Sequence, residues 1–413
     1  MSRLLVFLLL FPTAALAQGS VKLSLAEAEA LWRDHGHELH LAKTAVAGAA
    51  ADVTAAGQMP NPQVSLNTLS ISPWSGYGAG GWKEKKMDTI LRMDQVVERG
   101  SKRELRVKAA EARLDAARRD LDDTGRQQLM ALQSAYYDLL LAQERRRVAQ
   151  EAADLYGKGL DAGKLRHRAG DISQVDLSRL QIDKSRADND VRQAQADLEA
   201  AQAALAYLIG REHESRQLQA GDDWPTLQES ELAPAGLEQR PDVEAARLRI
   251  AAAETARDLA RAQKTRDVTV GVQLEHNLQN NPTNSYGFGV SVPLFVWHEY
   301  EGEIARAEAD LDTARRQYAM TLAQAVGSVD QARSALLSAR ERRRRLETGL
   351  LADAERVAKA AEFAYTKGAM GLMDLLDARR TLRQVQVEAA TARAEYAKAL
   401  AAWKLQAEYG KSK

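Results

Sequence analysis

The chain has 413 residues, and its 57 Lys and Arg balance 57 Asp and Glu, so the formal net charge is zero. That balance argues against a nucleic-acid binder driven by counterion release, while 28 % charged and 5 % aromatic residues suit long helices better than an enzyme core. With no cysteine, the sequence excludes disulfide scaffolds, Cys-ligated zinc, a Cys nucleophile and a lipid anchor on a Cys.

Residues 1–17 (MSRLLVFLLLFPTAALA) carry an early cation, Arg3, an apolar run and a small-x-small site at Ala15-Leu16-Ala17. This is the layout of a secretory signal peptide, so the mature chain is expected to begin near Gln18 and to be exported. No later run of about 18 apolar residues occurs, so any membrane crossing is expected to use β-strands. Residues 24–27 (SLAE) read as a capping box opening a first helix that runs toward Ala56. His35, His37 and His40 form a cluster (HGHELH) within it. Zinc takes three or four such ligands, but these three do not share one helical face and Gly36 interrupts them, so no metal site is assigned.

Strands are expected at about 62–72, with Val64 and Leu66, and 87–97, with Leu91 and Met93. Trp74, Tyr77 and Trp82 lie in or beside the connecting loop, where an interfacial aromatic belt is expected. No proline lies between 74 and 224 or after 293, and proline breaks helix interiors. A helix over 103–168 is therefore expected, on the order of 95 Å long, with a return helix near 175–208. In the return helix Leu177, Leu180, Lys184, Ala187, Val191, Ala194, Leu198, Ala201, Leu205 and Leu208 keep an unbroken 3-4 spacing, a coiled-coil seam. Residues 211–236 read as a linker or equatorial segment, in which Asp222, Asp223 and Trp224 suggest no function of their own.

The order then repeats. A helix starts at Arg240-Pro241-Asp242, and alternating strands follow at about 267–276 and 285–296. A long helix runs over 302–366, and a return helix over 373–409 carries a seam from Leu375 to Trp403. Residues 112–119 (ARLDAARR) match 309–316 (ADLDTARR), 144–147 (ERRR) match 341–344 (ERRR), and 170–177 align with 368–375. The chain is read as a tandem duplication, 18–210 and 237–413, and its Arg runs as solvated helix faces. The fold class is mainly α with a small β part. Four membrane-length strands cannot close in lipid alone, since the smallest single-chain barrels use eight. A dimer would give eight strands and a filled interior; a trimer would give twelve and a pore.

The signal peptide, the duplicated units, Arg240-Pro241-Asp242, residues 290–295 (VSVPLF) and the Gly-x-x-x-x-x-Asp-Leu tips together resemble the TolC-like outer membrane efflux proteins, over essentially all of 18–413. Residues 94–103 (DQVVERGSKR) and 302–307 (GEIARA) look most like the heavy-metal, CzcC-like cobalt–zinc–cadmium branch. The resemblance implies a homotrimer with a 12-stranded transmembrane β-barrel in outer-membrane lipid, continued by an α-barrel of helical hairpins across the periplasm. It implies docking onto a periplasmic adaptor (membrane fusion protein) and an inner-membrane pump of the RND type. The exported solute is then a heavy-metal cation or, alternatively, a drug or other small molecule. No enzyme activity, cofactor, nucleic-acid partner or lipid anchor is expected.

Carried over position by position, the resemblance implies a periplasmic gate at Tyr365, Asp374 and Asp377, with Asp176 on the first hairpin. Inward Asp residues of three copies would form carboxylate rings that attract cations. Met370 stands where relatives can place a basic residue, so an Arg–Asp lock is not carried over. The bland alternative is that Asp176 and Asp374 cap or solvate the return helices. The tips, with Gly170, Ile172, Gly368, Met370, Gly371 and Leu372, are expected to contact the adaptor; in ordinary turns the apolar members would instead be tucked inside. Met370 and Met373 could meet a soft metal ion, with packing the better reading. No His-Glu-x-x-His, Gly-x-Ser-x-Gly or phosphate loop occurs. Two rival classes are a periplasmic adaptor, which should show one hairpin and no membrane-length strand pairs, and a structural coiled coil, which leaves the strands unexplained.

Overall fold

Ser24 starts the first helix with a reciprocal cap: its Oγ accepts the Glu27 N–H at 3.2 Å, and its own N–H donates to the Glu27 carboxylate at 2.8 Å. In the computed structural model, which describes residues 21–69, 87–228, 236–277 and 283–407, this helix is α1, Leu25–His35. The expected signal segment and Trp74, Tyr77 and Trp82 lie outside the described residues. A single helix to Ala56 was expected, but the chain leaves the helix at Gly36 (ψ 116°) and restarts as α2, His37–Gly57. A β-carbon on Gly36 would stand 2.6 Å from the Trp32 carbonyl oxygen and 2.8 Å from its ring, so glycine lets the chain turn tightly over buried Trp32.

Strand β1, Val21–Leu23, pairs in parallel with β4, Leu218–Ala220. Three residues are too few to show an alternating pattern, and neither strand was expected. The larger sheet is antiparallel, in the order β2 (Gln63–Leu69), β3 (Asp88–Val97), β5 (Val268–Asn277), β6 (Thr283–Ser291). β6 was expected to continue to 296. It ends at Ser291, opposite Thr269, and Pro293 beyond it has no N–H to give a ladder.

The long helices follow the proline-free windows. α3 spans Lys102–Arg168 and returns through α4, Gln174–Leu208. After the short helix α5, Pro241–Ala262, and the second strand pair comes α6, Glu301–Arg345. Where one unbroken helix was expected, residues Leu346–Leu350 make a π-turn before α7, Leu351–Thr366, and α8, Leu372–Ala407. A π-turn admits one extra residue per turn and rotates the helix beyond it, a change that proline and heptad spacing do not report.

The described residues gather into two compact units. One contains 21–38, 126–228 and 329–407; the other contains 39–69, 87–125, 236–277 and 283–328. Each takes segments from both sequence halves. In the first unit the α4 seam is buried at Leu177, Leu180, Ala187, Ala194, Leu198 and Leu205, each leucine contributing about 1.5–3 kcal/mol. Lys184 interrupts this seam and is held by Asp188 one turn on. α8 buries more than a single seam: Leu382 and Val385 meet Ala354 and Ala358 of α7, while Leu376 meets Ala153 and Tyr156 of α3 and Leu180 and Ala187 of α4.

The arginine runs are not wholly solvated. Arg343 is 7 % exposed, donating to the Pro225 carbonyl at 2.6 Å and to Glu347 at 3.1 Å, and half-buried Arg145 donates to the Thr391 hydroxyl. A charge run shows composition. Which member turns inward depends on where the chain after β4 crosses the helices.

Candidate lumen, gate and hairpin tips

The four-stranded sheet has two chemically different faces. Register aligns Val64, Met93, Val272 and Phe288 in one row and Leu66, Leu91, Leu274 and Tyr286 in the next. All eight side chains are exposed, Phe288 at 76 % and Tyr286 at 83 %. The intervening positions place Arg92, Gln273 and Gly287 in one row and Asp94, Gly271 and Gly289 in another. Arg92 donates to Asp94 at 2.7 and 2.8 Å and to Gln273 at 3.4 Å. Alternation with an apolar outer and a polar inner face is the pattern of a transmembrane barrel wall. Among the described residues no helix is long and apolar enough to cross a membrane.

The two hairpin tips repeat one backbone motif. Gly170 (φ 83°) sends its N–H to the His167 carbonyl at 3.0 Å, and Asp171 bonds Arg166 at 2.8 Å. Gly368 (φ 75°) sends its N–H to Tyr365 at 3.0 Å, and Ala369 bonds Ala364 at 2.9 Å. This is the Schellman ending, and the left-handed position favours glycine. Both glycines and Gly371 are exposed. Ile172 and Leu372 are half-buried against the cluster around Leu180 and Leu376, and Met370 is half-buried. The most exposed apolar side chains near the tips are Leu165, Val175 and Phe363, which the sequence pattern did not single out.

The carboxylates carried over to the gate have different surroundings. Asp176 accepts the Ser173 hydroxyl at 2.7 Å while its N–H caps back onto that oxygen. In the second hairpin Gly371 stands in the place of Ser173, and the exposed Asp374 carboxylate has no hydrogen bond or ion pair among the described residues. Exposed Asp377 accepts from Arg380 at 3.2 Å. Arg380 also reaches Asp183 at 3.2 Å. Tyr365 is half-buried with the Arg166 guanidinium 5.6 Å from its ring centre. The histidines diverge: His35 packs at Gly210, and His37 lies 3.1 Å from Glu212, whose carboxyl is held below its ordinary range by a backbone N–H and by His37. No group of three or more His, Asp or Glu that could hold a metal ion occurs among the described residues.

A family model described as Outer membrane efflux protein matches residues 31–211 and 232–405. The chain belongs to that family. It is an outer membrane efflux protein, lodged in the outer membrane of a Gram-negative bacterium and reaching into the periplasm. Membership of this family leaves the periplasmic-adaptor and structural coiled-coil readings without support. The cobalt-zinc-cadmium resistance protein CzcC of Cupriavidus metallidurans is 26 % identical over 72 % of this chain and 72 % of its own length. The pyoverdine export outer membrane protein OpmQ of Pseudomonas putida is 24 % identical over 66 % of this chain and 60 % of its own. The crystal structure of the outer membrane protein VceC of Vibrio cholerae superposes with a TM-score of 0.74 at 21 % identity, covering 92 % of this chain and 95 % of that one.

This efflux protein also carries a built element in the segment read as a linker or equatorial stretch, where Asp222 and Trp224 suggested no function of their own. Asp222 accepts the Leu25 N–H at 2.6 Å and the Tyr136 hydroxyl at 2.9 Å. Trp224 donates to Glu144 at 3.0 Å and stacks on Tyr137. Residues 218–228 are thus strapped across the helices of the first unit. The acid and the tryptophan were visible, but their partners lie about 80 residues or more away in sequence.

Proposed function

We propose that this protein is the exit duct of a tripartite efflux assembly, that three copies close its sheet into a 12-stranded barrel, and that it passes heavy-metal cations. The observation that carries the reading is the sheet itself. β2 and β6 each have a partner on one side only among the described strands, and their rows are apolar outside and polar inside. An open edge in lipid leaves N–H and C=O groups unpaired at a cost of several kcal/mol each, so β2 of one copy pairs with β6 of the next. Three copies give a lumen wide enough to conduct, where two would give one filled by side chains. The hairpin tips then point at a periplasmic adaptor, whose partner pump selects the solute, and Tyr365, Asp374, Asp377 and Asp176 lie in the region that closes.

The similarity to CzcC supports the metal assignment. The similarity to OpmQ favours a second reading, a duct for small organic molecules. Deleting the gene and scoring resistance to Zn, Co, Cd, Cu, Ag and several drugs separates them: sensitivity confined to drugs removes the metal assignment. Because the chain has no cysteine, one cysteine introduced in β2 and one in β6 test closure. Oxidation in membranes is expected to give a ladder that stops at three copies. A ladder ending at two, or none at any position along β2, would remove the trimer.

A further inference from the structure

We propose that Arg92 and Asp94 set the charge selectivity of the barrel lumen, Asp94 neutralising a guanidinium that would otherwise repel a passing cation. This rests on reading the polar face of the sheet as the inner wall of the duct. A charged pair on the opposite face would meet hydrocarbon, which disfavours an arginine strongly.

The pair is built into the wall. Asp94 commits both carboxylate oxygens to Arg92, and the third guanidinium nitrogen reaches Gln273. The neighbouring strands are cleared to receive it. Gly271 lies across from Asp94, and Gly289 across from Gly271. A β-carbon on Gly271 would stand 2.2 Å from the Asp94 Oδ1 and 3.0 Å from an Arg92 nitrogen. On Gly289 it would stand 3.4 Å from the same guanidinium. Gly287 gives the same clearance to Gln273, 2.6 Å from its Cγ. The guanidinium therefore lies flat over β5 and β6, held against the wall rather than reaching across the lumen.

Both side chains keep a quarter to a third of their surface in contact with water, so a permeating ion meets their field. Balanced, the pair is neutral at this level. With one member removed, each copy leaves a net charge, and a closed assembly places these in a ring whose field acts on ions in the lumen.

The test is ion selectivity of the purified full-length protein in planar lipid bilayers under a KCl gradient. Asp94→Asn is expected to move the K⁺/Cl⁻ permeability ratio toward chloride by roughly two-fold or more, and Arg92→Gln toward potassium by a similar factor. The double variant, which restores neutrality, is expected to return close to wild type. If an unpaired charge blocks insertion, Gln273→Glu keeps the pair, adds a carboxylate beside it and is expected to shift the ratio toward potassium. Conducting variants with the wild-type ratio overturn the proposal and leave the duct reading intact. A wild-type chain recovered as a soluble monomer that never inserts overturns the duct reading and the proposal with it.

Discussion

The Arg343 guanidinium lies 5.2 Å from the centre of the Tyr396 ring, and the Tyr396 hydroxyl in turn accepts the Gln228 N–H at 2.9 Å. Together with the bond from Arg343 to Pro225, this pins residues 225–228 to α6 and α8. Arg343→Ala is expected to cost about 2 kcal/mol, the worth of a charge-assisted hydrogen bond and a covered aromatic face. Arg344→Ala, one residue on and paired with Glu341 at the surface, is expected to stay within about 0.5 kcal/mol. Thermal melting of the two variants in detergent checks this, and equal melting temperatures would remove the distinction between the buried and the solvated arginine.

The same pair shows what the sequence could and could not deliver. The proline-free windows and the 3-4 spacing marked the long helices, because both rules act locally along one chain. Alternation at Val64, Leu66, Leu91 and Met93 marked one sheet face for the same reason. It also held the charged pair: Arg92 and Asp94 are two apart, on the face opposite Leu91 and Met93, and could have been read as facing water. The inward turn of Arg343, the break at Gly36 and the π-turn at Leu346–Leu350 were not legible. Each depends on a partner far along the chain or on a backbone choice that several residue types allow. The tip glycines were legible, but whether Ile172 and Leu372 face outward was decided by packing against Leu180 and Leu376.

Tyr136 is fully buried, and its hydroxyl accepts the Gly221 and Asp222 N–H groups at 3.2 and 3.1 Å while donating to the Leu23 carbonyl or the Asp222 carboxylate. Burial pushes its phenol well above the ordinary 10.0. A group whose affinity for its proton is raised by folding contributes stability that is complete below the unfolded value and lost as pH rises above it. Tyr136→Phe is therefore expected to cost about 2 kcal/mol at neutral pH, through two unsatisfied N–H groups. It is also expected to flatten the loss of stability above pH 10.0 relative to wild type. Unfolding curves at neutral and alkaline pH check both parts; a variant whose alkaline loss matches wild type would assign that loss to other groups.

Gly368 holds a left-handed backbone with nothing within 4 Å of where a β-carbon would be. Gly368→Asp therefore meets no clash, only the cost of roughly 1–2 kcal/mol for an L-residue at this φ and a new charge on the tip. It is expected to leave insertion in the outer membrane unchanged and to abolish efflux-dependent resistance by disturbing the adaptor contact. Membrane fractionation and a resistance assay on the same strain check the two halves. Normal resistance with normal insertion would take the adaptor role away from this tip.

Asp374 and Asp377 lie one turn apart on α8, yet only Asp377 has its charge offset, by Arg380 at 3.2 Å. If both face the closing end of the duct, Asp374 carries the stronger bare field, and three copies of it form a ring that draws in divalent cations. Co²⁺ added on the hairpin side of a bilayer is then expected to reduce the wild-type conductance. Asp374→Asn is expected to raise the blocking concentration roughly three-fold or more. Asp377→Asn should change it less, because the substitution also frees Arg380 to pair more fully with Asp183, which is already within 3.2 Å. Equal block in wild type and Asp374→Asn would move the cation-sensitive constriction away from this turn, whereas a larger effect at Asp377 would mean that Arg380 swings to Asp183 whenever the hairpin closes.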